Sequence, residues 1–172
     1  MNLHDSDFEL FRLPQRFDQD RADIDARWKD LQREAHPDRF AAQGASAQRA
    51  ALQWSVRINE AYRRLKDPLQ RAAYLCELRG AAIQAENNTA MPPEFLMEQM
   101  EWRESLDEAR DESDFEQLSE RVLQRRREMR AQIQQALDLE GDAPAAAQQV
   151  RALMFIERFA HDVESRLAQL GQ

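Results

Sequence analysis

The sequence predicts an all-α protein in which an N-terminal antiparallel helical hairpin is followed by a C-terminal three-helix bundle. Residues that form helices well, such as Ala, Leu, Glu, Gln and Arg, dominate the chain, and only 4 of its 172 residues are glycine. The chain lacks the alternating β-branched runs that predict strands. Apolar residues recur instead at intervals of three and four, which is the spacing of one buried helix face.

Two amphipathic helices form the predicted hairpin. They span about residues 20–35 and about residues 46–66, and each carries one apolar stripe. The stripes are Ile24, Trp28, Leu31 and Ala35 in the first helix, and Ala51, Trp54, Ile58, Ala61, Tyr62 and Leu65 in the second. Because a residue that precedes proline is pushed out of the helical region, His36 ends the first helix, and residues 36–45 are expected to form a loop.

A short helix is predicted on each side of the hairpin. Asp5 or Ser6 caps the helix before it, which Pro14 ends. The helix after it follows Pro68 and runs through Tyr74. We therefore assign the N-terminal domain to residues 1–76.

The C-terminal half is predicted to be a bundle behind a linker. Residues 77–92 contain Gly80, Asn87-Asn88-Thr89 and Pro92, which are typical of a loop, and are assigned to the linker. Helices are expected over about residues 93–110, 114–139 and 143–170. Amphipathic helices with short connections pack together, so residues 93–172 are assigned to a three-helix bundle.

Charge is distributed unevenly along the chain. Residues 1–80 hold 14 Lys/Arg and 13 Asp/Glu, a net of +1, whereas residues 81–172 hold 10 and 19, a net of −9. These add up to the formal net charge of −8 for the whole chain. The balance argues against nucleic acid as the main partner and favours a basic protein partner for the acidic half.

Cysteine content and hydropathy predict a cytoplasmic protein with no membrane partner. Cys76 is the single cysteine, so no disulfide framework or cysteine-based metal site is expected. The N-terminus lacks the basic-then-apolar pattern of a signal peptide. No apolar run approaches the roughly 20 residues that span a bilayer.

The tripeptide His36-Pro37-Asp38 lies at the predicted tip of the hairpin. Pro37 restricts the backbone, Asp38 can accept a charge-assisted hydrogen bond from a partner's arginine, and His36 offers a flat polar ring. Three basic side chains near the tip are suited to an acidic partner surface: Lys29, Arg33 and Arg39. The alternative is a plain helix-ending turn with a solvated Asp38. A metal or catalytic pair is not expected, because no third ligand or nucleophile lies nearby in sequence.

The residues around this tripeptide resemble the J-domain family over about residues 5–76. The matching stretches are Phe8 to Leu13, Leu31 to Phe40, Ile58 to Tyr62, Leu65, Asp67-Pro68, Arg71 and Tyr74. The resemblance implies that this domain docks on a DnaK-class chaperone and stimulates its ATP hydrolysis. On that basis the chaperone-binding residues are Lys29, Arg33, His36, Pro37, Asp38 and Arg39.

The helix at about residues 93–110 has more apolar surface than one buried face needs. Its core stripe is predicted to be Phe95, Gln99, Trp102, Leu106 and Ala109. Leu96, Met97 and Met100 lie off that stripe among acidic residues, and an apolar patch with a polar rim is typical of an interface. The alternative is that these three side chains pack on the linker or on the N-terminal domain. Phe155 falls about 100° from the core stripe of the last helix, so it either extends the patch or closes the edge of the bundle.

Residues 95–104, behind an N-terminal J-domain, resemble the HscB family, which comprises specialised co-chaperones of iron–sulfur cluster assembly. The resemblance covers nearly the whole chain. It implies an L-shaped molecule. Eukaryotic relatives add an N-terminal cysteine-rich zinc element, which is not found in this sequence, so we expect a bacterial form. The resemblance also implies binding of the scaffold protein IscU and its delivery to the chaperone HscA. The positions matching the family's scaffold contacts are Leu96, Met97, Met100, Glu101, Glu104, Glu108 and Phe155.

The sequence as a whole predicts a co-chaperone that is not an enzyme. We expect no cofactor, no metal and a monomer in solution. One alternative is a general J-protein co-chaperone whose bundle binds a different client. Another is a helical scaffold with a vestigial loop.

Overall fold

The computed structural model describes residues 2–85 and 87–171, and these residues contain helices and turns without a strand. The first four α-helices are α1 (Asp7–Leu10), α2 (Arg21–Ala35), α3 (Ala45–Lys66) and α4 (Pro68–Leu78). The last three are α5 (Pro93–Glu108), α6 (Glu112–Gln134) and α7 (Ala143–Leu170). The chain divides into two compact units, Met1–Leu75 and Cys76–Gln172. The all-α class predicted from composition and periodicity is confirmed.

The hairpin of the first unit is formed by α2 and α3, as predicted. Asp20 caps α2 by accepting a hydrogen bond from the Ala22 amide at 2.9 Å. The stripe residues Ile24, Leu31 and Ala35 of α2 are buried, as are Ala51, Ile58, Ala61 and Leu65 of α3. The aromatic stripe members are only partly buried. Trp28 stacks on Tyr62 with ring centroids 4.7 Å apart, so these two rings join the helices at the edge of the core.

Polar side chains hold the hairpin together beside that aromatic pair. The Asn59 side-chain oxygen Oδ1 accepts hydrogen bonds from the Trp28 indole at 3.0 Å and from the side-chain amide of Gln32 at 2.7 Å. The Ser55 hydroxyl donates to Gln32 at 3.1 Å. These bonds tie the last turns of α2, which carry the predicted basic face, to the middle of α3.

The first helix is shorter than predicted. Ser6 caps α1, since its hydroxyl accepts a hydrogen bond from the Glu9 amide at 3.1 Å. The helix ends at Leu10 rather than at Pro14, because Arg12 adopts a left-handed backbone with φ of 53°.

A buried ion-pair network attaches α1 to α3. Asp7 has no exposed surface, and its carboxylate pairs with Arg57 at 2.8 Å and with Arg64 at 2.6 Å. The Asp7 amide donates to the Tyr74 hydroxyl at 3.0 Å, which adds α4 to the same network. A carboxylate can be buried at low cost only when it is paired and hydrogen-bonded in this way.

The segment predicted as a loop over residues 36–45 contains a 3₁₀ helix, Pro37–Gln43. Pro37 stands at its first turn, where a fixed φ and a missing N–H cost nothing. Gly44 follows with φ of 95°, a backbone that favours glycine, and α3 begins directly after it. The end of α2 at Ala35 agrees with the prediction, whereas the loop itself is more regular than predicted.

The segment 77–92, predicted as a linker, belongs to the second compact unit. Ile83 is buried, and the Arg151 guanidinium donates hydrogen bonds to carbonyls of this segment. The Arg79 side chain donates to the Leu137 carbonyl at 2.6 Å. The boundary of the second unit therefore lies at Cys76, before the segment rather than after it, because two arginines bind the segment to the bundle.

The bundle consists of α5, α6 and α7, as predicted, with different ends. Asp111 caps α6 through the Asp114 amide at 2.9 Å, so this helix begins at Glu112, two residues early. The predicted continuation to 139 is a π-helical turn, Gln135–Leu139. The core is formed mainly by α6 and α7, whose fully buried side chains include Met129, Ile133, Leu153 and Ile156.

No helix among the described residues is long and apolar enough to cross a membrane.

Candidate functional site

The tripeptide of the first unit lies at the end of the hairpin with its carboxylate in solvent. The Asp38 side chain is 92% exposed and the His36 side chain 56%. The Asp38 amide donates a hydrogen bond to His36 Nδ1 at 3.2 Å, so Nδ1 acts as an acceptor within the tip. The Asp38 carboxylate is 3.6 Å from that nitrogen, too far for a hydrogen bond, and is free to accept one from a partner.

Arg39 fastens the tip to the end of α2. Its guanidinium donates to the Arg33 carbonyl at 3.1 Å, and its amide donates to the His36 carbonyl at 3.0 Å. The first bond satisfies one of the carbonyls that every helix leaves unpaired in its last turn. Arg39 therefore orients Asp38, in addition to placing a cation beside it.

The predicted basic residues share an exposed surface with the tip. Lys29 and Arg33 are exposed on α2, and Arg33 pairs with Asp30 at 2.6 Å in the same helix. An open hollow of about 440 Å³ lies between α2 and the tip. It is lined by Gln32, Arg33, His36 and Arg39. Pro37 is partly exposed and restricts the backbone between His36 and Asp38.

A hydrogen-bonded pair near the start of α2 braces the hairpin at the end away from the tip. The Tyr62 hydroxyl donates to the Asp25 carboxylate at 2.8 Å, and Arg21 pairs with the same oxygen at 3.0 Å. The bond from Tyr62, followed by that from Arg21, lowers the pKa of Asp25 below its usual value.

The exposed apolar patch predicted on α5 is present in the second unit. Leu96 is 48% exposed, Met97 69% and Met100 72%. The opposite side of α5 is buried through Phe95, Trp102 and Leu106, as the periodicity predicted. The alternative in which the patch packs on the segment 77–92 is not observed, because these three side chains are among the most exposed large apolar groups described.

Unpaired carboxylates flank this patch. Glu101, Glu104 and Glu108 are exposed on the same side of α5. Within the described residues, none of the three has a hydrogen bond or an ion pair, unlike Glu98, which pairs with Arg125 at 2.8 Å. Together, Leu96, Met97, Met100 and these three glutamates form what we call the α5 surface, an apolar patch with an acidic rim. Its chemistry suits an apolar partner surface with basic residues around it.

Phe155 is a core residue, and its place in the predicted client-binding set stays a prediction. It is 7% exposed and closes the edge of the bundle, the second of the two alternatives. Its ring meets Phe95 edge to face at 5.7 Å and stacks on Phe159 at 5.9 Å. The Arg103 guanidinium lies 5.2 Å from the ring centroid and covers it. Phe155 therefore supports the α5 surface from below.

No group of three His, Cys, Asp or Glu residues in the described part of the chain could hold a metal ion. Cys76 is buried, and burial raises the pKa of its thiol to about 11. A protonated, inaccessible thiol is a poor nucleophile.

Two arginines that the sequence analysis did not identify as functional support the α5 surface. Arg103 covers Phe155, and Arg151 binds the segment that leads into α5. Periodicity gave no signal for Arg151, since it stands one turn before Phe155, which itself lies off the core stripe of α7.

Comparisons with known proteins agree with this architecture. The family model described as the HSCB C-terminal oligomerisation domain matches residues 91–164. A co-chaperone protein HscB homolog from Burkholderia multivorans is 49% identical over 172 residues, covering 99% of this chain and 98% of the relative. A homolog of the same description from Azoarcus sp. is 47% identical over 173 residues, with the same shares covered.

Solved structures show the same fold. HscB from Vibrio cholerae superposes with a TM-score of 0.82 at 37% identity, covering 96% of this chain and 99% of that one. Human co-chaperone HscB gives a TM-score of 0.82 at 26% identity, covering 99% of this chain and 84% of the human one.

The class of protein follows from the fold and the two surfaces. A helical hairpin with an exposed His-Pro-Asp tip, in one chain with a helical bundle, defines a J-domain co-chaperone. Because curated relatives match almost end to end at close to half identity, the chain belongs to the HscB family. It is thereby a co-chaperone of the kind that acts in iron–sulfur cluster assembly.

Proposed function

We propose that this protein binds the iron–sulfur scaffold protein IscU, delivers it to the DnaK-class chaperone HscA and stimulates the ATPase of HscA. The observation that carries the proposal is the outward position of Asp38, whose side chain is 92% exposed at the hairpin tip. A carboxylate held in solvent by its own backbone is ready to accept a charge-assisted hydrogen bond from an arginine of a partner.

The α5 surface is the proposed site for IscU. The exposed side chains of Met97 and Met100 are unbranched and flexible, so they can adapt to the shape of a partner. The glutamates around them have no partner among the described residues, so they are available to basic groups of the client. Joining this site to the tip in one chain raises the effective concentration of the client at the chaperone.

We further propose that the protein is not itself an enzyme and that it acts in the cytoplasm. The proposed chemistry belongs to HscA, and this chain contributes binding surfaces. We propose a monomer in solution, although the name of the matching family model contains the word oligomerisation. Sedimentation equilibrium at several concentrations decides between a monomer and an oligomer, because self-association raises the average mass with concentration. Self-association through the α5 surface would also compete with IscU.

The chaperone half of the proposal is tested by Asp38→Asn. We expect this change to lower stimulation of the HscA ATPase at least about tenfold, since a buried interfacial charge pair loses one partner. Asp23→Asn is the matched control, because Asp23 is an exposed carboxylate at the other end of α2. Stimulation that survives Asp38→Asn would remove the basis for the chaperone half.

The client half is tested by changing Leu96, Met97 and Met100 together to alanine. We expect affinity for IscU to fall by about 100-fold, because three apolar contacts at the centre of an interface are lost. A triple change of Leu123, Leu139 and Leu170 to alanine is the matched control, since these are exposed apolar residues elsewhere in the same unit. Equal losses in both variants, or none in either, would favour a general co-chaperone with another client.

A further inference from the structure

Arg151 is a buried cation of α7 whose hydrogen bonds go to main-chain carbonyls. It is 6% exposed. Its Nε donates to the Ile83 carbonyl at 3.0 Å, one Nη to Ala90 at 3.1 Å and the other to Ala82 at 3.3 Å. Only a planar guanidinium offers donors in the three directions that these acceptors require. Arg151 thus closes residues 82–90 onto α7 at both ends of that segment.

The same side of α7 sets the position of α5. Arg151, Phe155 and Phe159 are spaced four residues apart, so they stand one above another along one face. Phe155 packs on Phe95 at 5.7 Å, and Phe159 packs on Trp102 at 5.4 Å. Arg151 is the polar member of this row, and it binds Ala90 three residues before α5 begins.

The first turn of α5 has no side-chain cap of its own. The residue at its N-cap is Pro92. An uncapped first turn frays readily, because its N–H groups have no partner within the helix. Leu96 and Met97 lie within five residues of the start, directly after the buried Phe95.

We propose that Arg151 is a positioning residue for the client-binding surface. By holding residues 82–90 on α7 it fixes the lead-in and first turn of α5, and thereby the direction in which Leu96, Met97 and Met100 project. The inference rests on the proposed function, since it assumes that the α5 surface binds the client.

Hydrogen exchange on the full chain tests the positioning role without any partner. We expect Arg151→Gln to lower protection over about residues 82–97, where the three carbonyls and the first turn of α5 lie, while α6 keeps its protection. Arg151→Lys should give an intermediate result, because a single ammonium retains the charge but cannot span three carbonyls. Unchanged protection over that segment in both variants would overturn the inference.

Affinity for IscU, measured by calorimetry at a temperature where all variants are folded, tests the functional consequence. We expect about a tenfold loss for Arg151→Gln and a smaller loss for Arg151→Lys. The control is a variant in the core of α6 whose loss of Tm matches that of Arg151→Gln. Ile133→Val is used for a small loss and Ile133→Ala for a larger one. Equal affinity in Arg151→Gln and wild type would reduce Arg151 to a structural role and overturn the inference. If wild type fails to bind IscU, the proposed function fails, and the exchange result still stands on its own.

Discussion

The hairpin tip and the α5 surface offer their partners contrasting kinds of chemistry. The tip offers one carboxylate among cations, and it is shaped by local hydrogen bonds within a few residues of Asp38. The α5 surface offers thioether and aliphatic groups on a long helix, whose direction is set by residues more than fifty positions away in the sequence. The tip recognises its partner by charge and orientation, whereas the α5 surface recognises its partner mainly by buried area and shape complementarity.

This difference teaches how one small chain can serve two partners without confusing them. A charged tip raises the association rate and sets the register but supplies limited affinity. An apolar patch supplies affinity through burial of surface and changes little with ionic conditions. Each site is therefore poorly suited to the partner of the other.

The largest expected effect comes from Asp7→Asn, which should damage the first unit and spare the second. Asparagine leaves the guanidinium groups of Arg57 and Arg64 without their carboxylate, and breaking a buried pair in this way costs about 3–5 kcal/mol. We expect α1 to detach and chaperone stimulation to fall, as followed by hydrogen exchange and the ATPase assay.

The affinity of Asp7→Asn for IscU sharpens the comparison between the two units. Asp7 contacts residues of the first unit, so binding of IscU to Asp7→Asn should match wild type. Asp5→Asn is the control, since the Asp5 side chain takes no part in the network and should change stability by less than about 0.5 kcal/mol. A loss of IscU binding in Asp7→Asn would contradict the independence of the two sites.

A moderate effect is expected from salt. Raising ionic strength from about 0.05 M to about 0.3 M should weaken HscA engagement about tenfold and IscU binding less, by about threefold, because salt screens the charges of the tip and of the acidic rim but not the buried apolar area of the α5 surface. The apparent constants are obtained from ATPase titrations and calorimetry at each salt concentration. Equal salt dependence at the two sites would show that their chemistries have been assigned wrongly.

The smallest effect concerns Cys76 in the second unit. Burial raises the pKa of its thiol from 9.0 to about 11, so the folded state keeps a proton that the unfolded state releases. The contribution to the free energy of unfolding is full below pH 9.0 and is lost as pH rises through about 11. Wild type should therefore lose stability over this alkaline range relative to Cys76→Ala.

The rate of thiol labelling checks the same burial at neutral pH. Native Cys76 should react far more slowly than the thiol of the denatured chain, because both thiolate fraction and access are reduced. Fast labelling of the native protein would contradict the buried position of this side chain.

The sequence predicted those parts of the molecule whose determinants are local. The stripes of α2 and α3 follow from apolar spacing, and the end of α2 follows from Pro37 alone. The exposed patch was also predictable, because Leu96, Met97 and Met100 lie opposite Phe95 and Trp102 on one helix. Periodicity within a single element carries all of this information.

The remaining features depend on contacts between distant residues. Phe155 lies off the core stripe of α7, yet α5 covers it with Phe95 and Arg103, which the periodicity of α7 cannot reveal. Asp7 and Arg151 are charged residues that are buried because their partners arrive from 50 to 69 positions away. The segment 77–92 was assigned to a linker for the same reason, since its loop-like composition does not show that Arg151 holds it.

The central claim is that one chain must carry both sites, and mixing two variants tests it most directly. Asp38→Asn retains the α5 surface, and the triple change of Leu96, Met97 and Met100 to alanine retains the tip. We measure the extra stimulation of the HscA ATPase that IscU adds in the presence of wild type, of each variant and of an equimolar mixture. The account predicts that only wild type gives this extra stimulation, because each variant in the mixture lacks one site. Full stimulation by the mixture would contradict it.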